Sequence, residues 1–122
     1  MTEKKYFTIL EKQIVLDNSK YDVDAYQFVL EALNHFLKKL KKVRHISGKE
    51  LLKGIKEFGL KEYGPMAKTV FNHWGVNTCE DFGEIVFSLI ENGLLKKNDN
   101  DSLEDFTNGY DFKEAFEKPF IT

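Results

Sequence analysis

The chain has 122 residues and a net charge of −2. With 42% hydrophobic and 31% charged residues, its composition excludes a disordered or fibrous protein. A single cysteine rules out an internal disulfide, and no apolar run approaches the ~18 residues of a membrane span. There is no apolar leader of the secretory kind, so a reducing, cytoplasmic location is expected, with no membrane partner.

A chain of this length fits a single domain over residues 1–122, with its core over about 22–118. Such a chain buries roughly two thirds of its unfolded surface, enough for one core without staples. Eleven Phe, five Tyr and one Trp supply bulk for that core. Charge is uneven, with +4 over residues 1–63 and −6 over 64–122. Such an asymmetry bears on encounter and partners rather than on fold.

In chain order, residues 6–15 place Tyr6, Leu10 and Ile14 on a helical face, although YFTIL alone also reads as a short strand. LDNSKYD is a polar connection. A helix is predicted over 23–42, capped by Asp22. Its apolar stripe is Tyr26, Val29, Leu30, Leu33, Phe36, Leu37 and Leu40, and its end is rich in lysine. Ser47-Gly-Lys-Glu50 is a capping box. It opens a helix over 47–63 with Leu51, Leu52, Ile55, Phe58 and Tyr63 inward and Gly59 at a close helix contact.

Gly64-Pro65 stops that helix and starts a short one over 66–74, with Met66, Val70, Phe71 and Trp74 as its stripe. After Gly75, Thr78-Cys-Glu-Asp81 caps a helix over 78–92 that turns Phe82, Ile85, Val86, Leu89 and Ile90 inward. NDND marks a turn, and Ser102 and Asp111 are caps for short final helical segments. The fold class is all-α, a bundle of about six helices. The order from residue 47 onward, with 94–101 as a wing or a loop, also fits a winged helix-turn-helix core.

Three stretches, RHISGKELLKGIKEFGLKEYGPMAKTVFNHWG, EDFGEIVFSLIENGLL and DSLEDFTNGYDFKEAF, resemble a bacterial family of planctomycete and verrucomicrobial type. Its members read approximately RHVSGQELLEGIR, FGPMARTVLEHWG, EDFGEIVFNLVEAGLL and YDFEEAF. The match covers about 25–118. The family carries no assigned activity, so the resemblance implies one small domain and transfers no catalytic residue. Relatives usually show Thr, Ser or another polar residue where this chain has Cys79, which weakens any role for that thiol.

Two charged surfaces stand out as binding candidates. The first is the basic run 38–61, with Lys38, Lys39, Lys41, Lys42, Arg44, Lys49 and Lys53 at its centre and Lys56 and Lys61 beyond. Lysines act as point charges without bidentate base readout, so any nucleic-acid binding through them is sequence-nonspecific and salt-sensitive. The second is the carboxylate trio Glu80, Asp81 and Glu84, whose position in a first helical turn is equally that of capping residues. A helix with those carboxylates outward repels phosphates, which argues against a DNA-reading role for 78–92.

His73 and Cys79 lack further ligands at metal spacing, and no phosphate loop, nucleophile elbow or dinucleotide fingerprint occurs. No catalytic residue, metal or cofactor is expected. The aromatic, acidic C-terminus, Asp105 to Phe120, either packs on the core or docks elsewhere; packing is favoured because so many exposed aromatics promote association. The expected function is a non-catalytic adaptor or accessory module that binds another protein or a second copy of itself. The alternative is a sequence-nonspecific nucleic-acid-binding protein using the lysine face at 38–61. An enzyme ranks third.

Overall fold

The computed structural model describes residues 20–40, 44, 46–95 and 103–120. Four α-helices carry the fold: α1 (Val23–Lys39), α2 (Gly48–Tyr63), α3 (Ala67–His73) and α4 (Cys79–Glu91). A 3₁₀ turn, Gly64–Met66, joins α2 to α3. A 3₁₀ turn at Leu103–Phe106, a π-helical turn at Lys113–Glu117 and a 3₁₀ turn at Lys118–Phe120 complete the order. The described residues are all-α, with no strand among them. The helix expected over 6–15, the cap at Ser102 and all of the expected wing beyond Leu95 lie outside them.

The helix starts follow from local chemistry. Asp22 accepts the N–H of Asp24 at 2.9 Å and opens α1. Ser47 and Glu50 close a reciprocal box at α2: the Glu50 N–H donates to Ser47 Oγ (3.1 Å), and the Ser47 N–H to Glu50 Oε1 (3.0 Å). Thr78 and Asp81 repeat it at α4, at 3.2 and 3.1 Å. Each box satisfies amide donors that a helix N-terminus leaves unpaired. Helix ends follow too, with positive φ at Gly64, Gly75 and Gly93.

Helix α1 is shorter than expected. It ends at Lys39, and Leu40 is extended, its N–H closing on Leu37 O. Continuation would stack Lys38 with Lys41 and Lys42 one turn apart, a like-charge arrangement that disfavours helix. The buried face is also rotated from the predicted stripe. Ala25, Tyr26, Phe28, Val29 and Ala32 are buried, while Leu30 falls to the edge and Leu37 is exposed. The small side chains of Ala25 and Ala32 let α1 sit deep against α2 and α4. Gly54 of α2 assists, since a Cβ there would lie 3.0 Å from Phe36.

In α3 the stripe shifts likewise: Met66 is 55% exposed and Ala67 takes the buried position beside Phe71 and Trp74. The core is one aromatic network. Phe28 lies 5.1–6.3 Å, centroid to centroid, from Phe58, Tyr63, Phe71, Trp74 and Phe82. Phe71 extends the network to Phe112 and Phe116. Gly59 admits Phe71, whose Cζ would be 2.8 Å from a Cβ there, as close helix packing required. The C-terminal aromatics therefore pack inward: Phe106, Phe112 and Phe116 are 4% exposed or less, and Phe120 alone of the four is exposed.

Candidate functional site

The described residues of the basic run do not form one continuous face. At the α1 end, Lys39 Nζ pairs with Glu57 Oε2 of α2 at 3.5 Å. His35 packs on Phe58 beside them, and its pKa is lowered, first by desolvation and then by Lys39 and Lys61. Glu57 and Glu62 act in the opposite sense there, so this part is a mixed-charge patch. Lys38 is exposed next to it. Arg44 is committed to a bidentate contact with Glu50, at 3.1 and 2.7 Å. That contact and the Ser47 N–H hold the Glu50 carboxyl down at about 2. Lys41 and Lys42 lie outside the described residues.

Lys49, Lys53 and Lys56 stand apart. Spaced i, i+4, i+7, they share one side of α2, and none has an ion-pair partner among the described residues. They form one wall of an open cleft of about 410 Å³. Leu52 and Tyr110 contribute apolar surface to it, and residues 105–109 form the facing wall.

The loop that makes this wall is held rigidly. The Tyr110 N–H donates to Cys79 Sγ (3.3 Å), the Cys79 thiol lies 3.4 Å from Tyr110 O, and the Tyr110 hydroxyl donates to Leu52 O (2.8 Å). Burial pushes the Cys79 thiol up to about 11 and raises the Tyr110 phenol well above its ordinary value. Cys79 is thus a buried anchor without thiolate character. Gly109 is required by contact, because a Cβ there would meet Cys79 Sγ at 2.9 Å and Leu52 Cδ1 at 3.0 Å. Asn108 takes φ +53°, a conformation Asn tolerates, and its N–H faces Glu80 Oε2 at 3.5 Å. Asp105 lies against the first turn of α2, where a Cβ on Gly48 would be 2.7 Å from its own.

The acidic trio is occupied differently. Burial opposes ionisation of Asp81, but the N–H groups of Asn77 (2.8 Å) and Thr78 and the Tyr21 hydroxyl (2.7 Å) outweigh it and hold the carboxyl below its ordinary range. Glu84 shares the single Tyr21 hydroxyl proton with Asp81, and it takes Lys20 Nζ at 3.0 Å. Both lower its pKa. Tyr21, 2% exposed, is thereby locked between α4 and the turn after α3, where the Asp22 N–H donates to Trp74 O (3.0 Å). Asp81 and Glu84 hold the chain entry to α1 in place. Of the trio, Glu80 alone touches the loop that walls the cleft.

A second cavity, of about 200 Å³, lies among Leu33, Leu51, Val86, Ile90 and Phe106, with Arg44 at its edge. It is smaller than ordinary ligand pockets, and its cation is already paired with Glu50. Among the described residues no group of three or more His, Cys, Asp and Glu side chains is placed to hold a metal ion. No described helix is long and apolar enough to cross a membrane. His73 is exposed while Cys79 is buried with Tyr110 as its partner.

Reasoning from sequence selected Lys49 and Lys53 but missed the facing loop. The Asn108-Gly109 pair was a readable turn signal, yet nothing local showed that the turn would close over α2. Compared with known protein families, with curated proteins and with solved structures, the chain gives no match.

Proposed function

We propose that the protein is a non-catalytic interaction module that takes an acidic segment of a partner protein on the lysine face of α2. The observation that carries this reading is the contrast between the charged groups. Asp81, Glu84 and Arg44 are consumed by contacts within the fold, whereas Lys49, Lys53 and Lys56 line an open cleft without an ion-pair partner among the described residues. Three ammonium groups along one side of a helix steer an anionic partner, which short-range packing then holds. The apolar surface of Leu52 and Tyr110 supplies the packing component.

Nucleic acid is the second reading, since the same lysines would serve it. The whole-chain charge of −2 and pI of about 5.9 oppose it, as do Glu50, Glu57 and Asp105 close to the stripe. We also read α2, α3 and α4, with the Gly75 turn between the last two, as the three-helix part of a winged-helix scaffold used for protein contact. Exposed Glu80, Glu84 and Glu91 on α4 argue against a role in the major groove.

The test is fluorescence anisotropy with a labelled Glu/Asp-rich peptide and, in parallel, a single-stranded RNA of mixed sequence. The expected result is binding of the peptide that weakens at raised salt and is lost in K49E/K53E/K56E. Unchanged affinity in that folded variant refutes the lysine face. RNA binding without peptide binding replaces the first reading by the second.

A further inference from the structure

We infer that the cleft between α2 and the 105–110 loop is a site for a phosphomonoester, carried as a phosphorylated side chain on the acidic segment of the partner. This inference rests on the proposed interaction role and names the chemistry of the group recognised.

The first argument is charge balance within the site. Lys49, Lys53 and Lys56 contribute three positive charges and Asp105 one negative charge to the same cleft. The residues lining the cleft sum to +2, the complement of a phosphomonoester, which carries about −1.5 to −2 near neutral pH; Glu50 and Glu57, next to the lysines on α2, are not among them. A single carboxylate would leave the site under-neutralised.

The second argument is extent. The three lysines rise only about 10.5 Å along the helix from first to last, at ~1.5 Å per residue. Their long, flexible side chains stand on one side of α2 and can turn toward one compact group. A continuous polyanion following the stripe toward the start of α2 would run into Asp105, which lies against Gly48. The site therefore favours one concentrated charge over a chain of charges.

The third argument is donor type. Arginine binds carboxylates and phosphates alike through its bidentate fork, whereas lysine acts as a point charge on a flexible stem and suits a concentrated anion without a fixed plane. The arginine in this region, Arg44, is already taken by Glu50, and the cleft is lined by lysines alone among the cations. The tyrosine ring and Leu52 offer an apolar surface for the carbon part of the phosphorylated residue.

The rigid facing loop completes the site. It is tied to α4 through Cys79 and to α2 through the Tyr110 hydroxyl, so the wall needs no reordering when a ligand enters.

The experiment uses the full chain and three peptides of one Glu/Asp-rich sequence, differing at a central position that carries Ser, Glu or phosphoserine. The expected result is binding of the phosphoserine peptide about tenfold or more tighter than the Glu peptide, corresponding to about 1.4 kcal/mol. Affinity for it should fall at least tenfold in K53E. It should rise severalfold in D105N, which removes the acidic side chain lining the cleft without removing a lysine. Thermal melting of each variant checks folding.

Equal affinity for the phosphoserine and Glu peptides overturns the phosphate inference and leaves the acidic-segment reading standing. Failure of all three peptides to bind overturns both. Competition by inorganic phosphate or by a mononucleotide as effectively as by the phosphoserine peptide overturns the assignment to a phosphorylated protein segment, because the peptide would then add nothing to recognition.

Discussion

Replacing Gly83 by Ala tests how the loop facing α2 is held. In isolation the change favours the helix, because Ala exceeds Gly by about 1 kcal/mol in helix propensity. In the fold the added Cβ would lie 2.8 Å from Phe106 Cβ, 2.9 Å from its Cγ and 3.2 Å from its Cδ2. Carbon atoms rest at ~3.5–4.0 Å, so the contact must open by more than half an ångström. The atoms met are the root of the side chain, not its free end, and relief requires the 103–106 turn itself to move. Movement toward α2 is blocked, because a Cβ on Gly48 would already be 2.9 Å from Phe106 Cε2. Overpacking of this kind costs roughly 1–3 kcal/mol.

The two effects leave a net destabilisation of up to about 2 kcal/mol. Urea denaturation should show a lower midpoint with an unchanged slope, and the melting temperature should fall by up to about 8 °C. The mechanism is checked by repeating G83A in an F106A background. Truncating Phe106, which is 2% exposed, costs about 3–5 kcal/mol by itself. It frees the turn, however, and G83A should then be neutral or stabilising. A G83A protein more stable than the parent, or an equal cost in both backgrounds, would refute the reasoning.

The two buried tyrosines of α1 and its entry should respond with opposite sign. Y21F removes a hydroxyl held by Asp81 and Glu84 and should cost about 1 kcal/mol by urea denaturation, a figure discounted for the exposure of Glu84. Y26F removes a buried hydroxyl that finds no hydrogen bond of ordinary length among the described residues, with Ser88 its nearby polar neighbour, and should be neutral or stabilising by up to about 1 kcal/mol; a loss as large as that of Y21F would contradict this. Acid should act through the same carboxylates. Asp81 and Glu84 have folded pKa values below their ordinary ones, so the unfolded chain takes up protons first. Their contribution is present above the ordinary carboxylate range, near pH 4, and is lost as pH falls through the folded values. The pH dependence of the urea midpoint should be shallower in Y21F than in the parent. S47A should cost about 1 kcal/mol through loss of the α2 capping box, read as a drop in melting temperature. Native Cys79 should resist a thiol-specific reagent at pH 8 and react fully in denaturant, because burial places its thiol near 11; rapid labelling of the native protein would contradict the anchor role.

Much of the fold was legible because its determinants are local. Asp22, Ser47 with Glu50, and Thr78 with Asp81 cap the helices that the sequence assigned to them. The inward residues of α4, Phe82, Ile85, Val86 and Leu89, were readable from their spacing. Spacing gave the period of α1 but not its phase. Phe28 belongs to the centre of the core, and Leu37 is left outside, because α1 is covered from two sides by helices distant in sequence. Tyr21 was hidden in a polar connection, and its role depends on carboxylates some sixty residues later.

The same division runs through the candidate site. Sequence alone determined that the chain is helical, that its lysines cluster between residues 38 and 61, and that its carboxylates gather on α4 and beyond, since composition, caps and periodicity act over a few residues. Tertiary structure decided which charges remain available. Lys39 finds Glu57 and Asp81 finds Tyr21, while Lys49, Lys53 and Lys56 face a loop that arrives from residues 105–110. Whether a charge is spent or free depends on pairs that long-range packing brings within a few ångströms, and Coulombic and hydrogen-bonding energies at that range outweigh anything local sequence encodes.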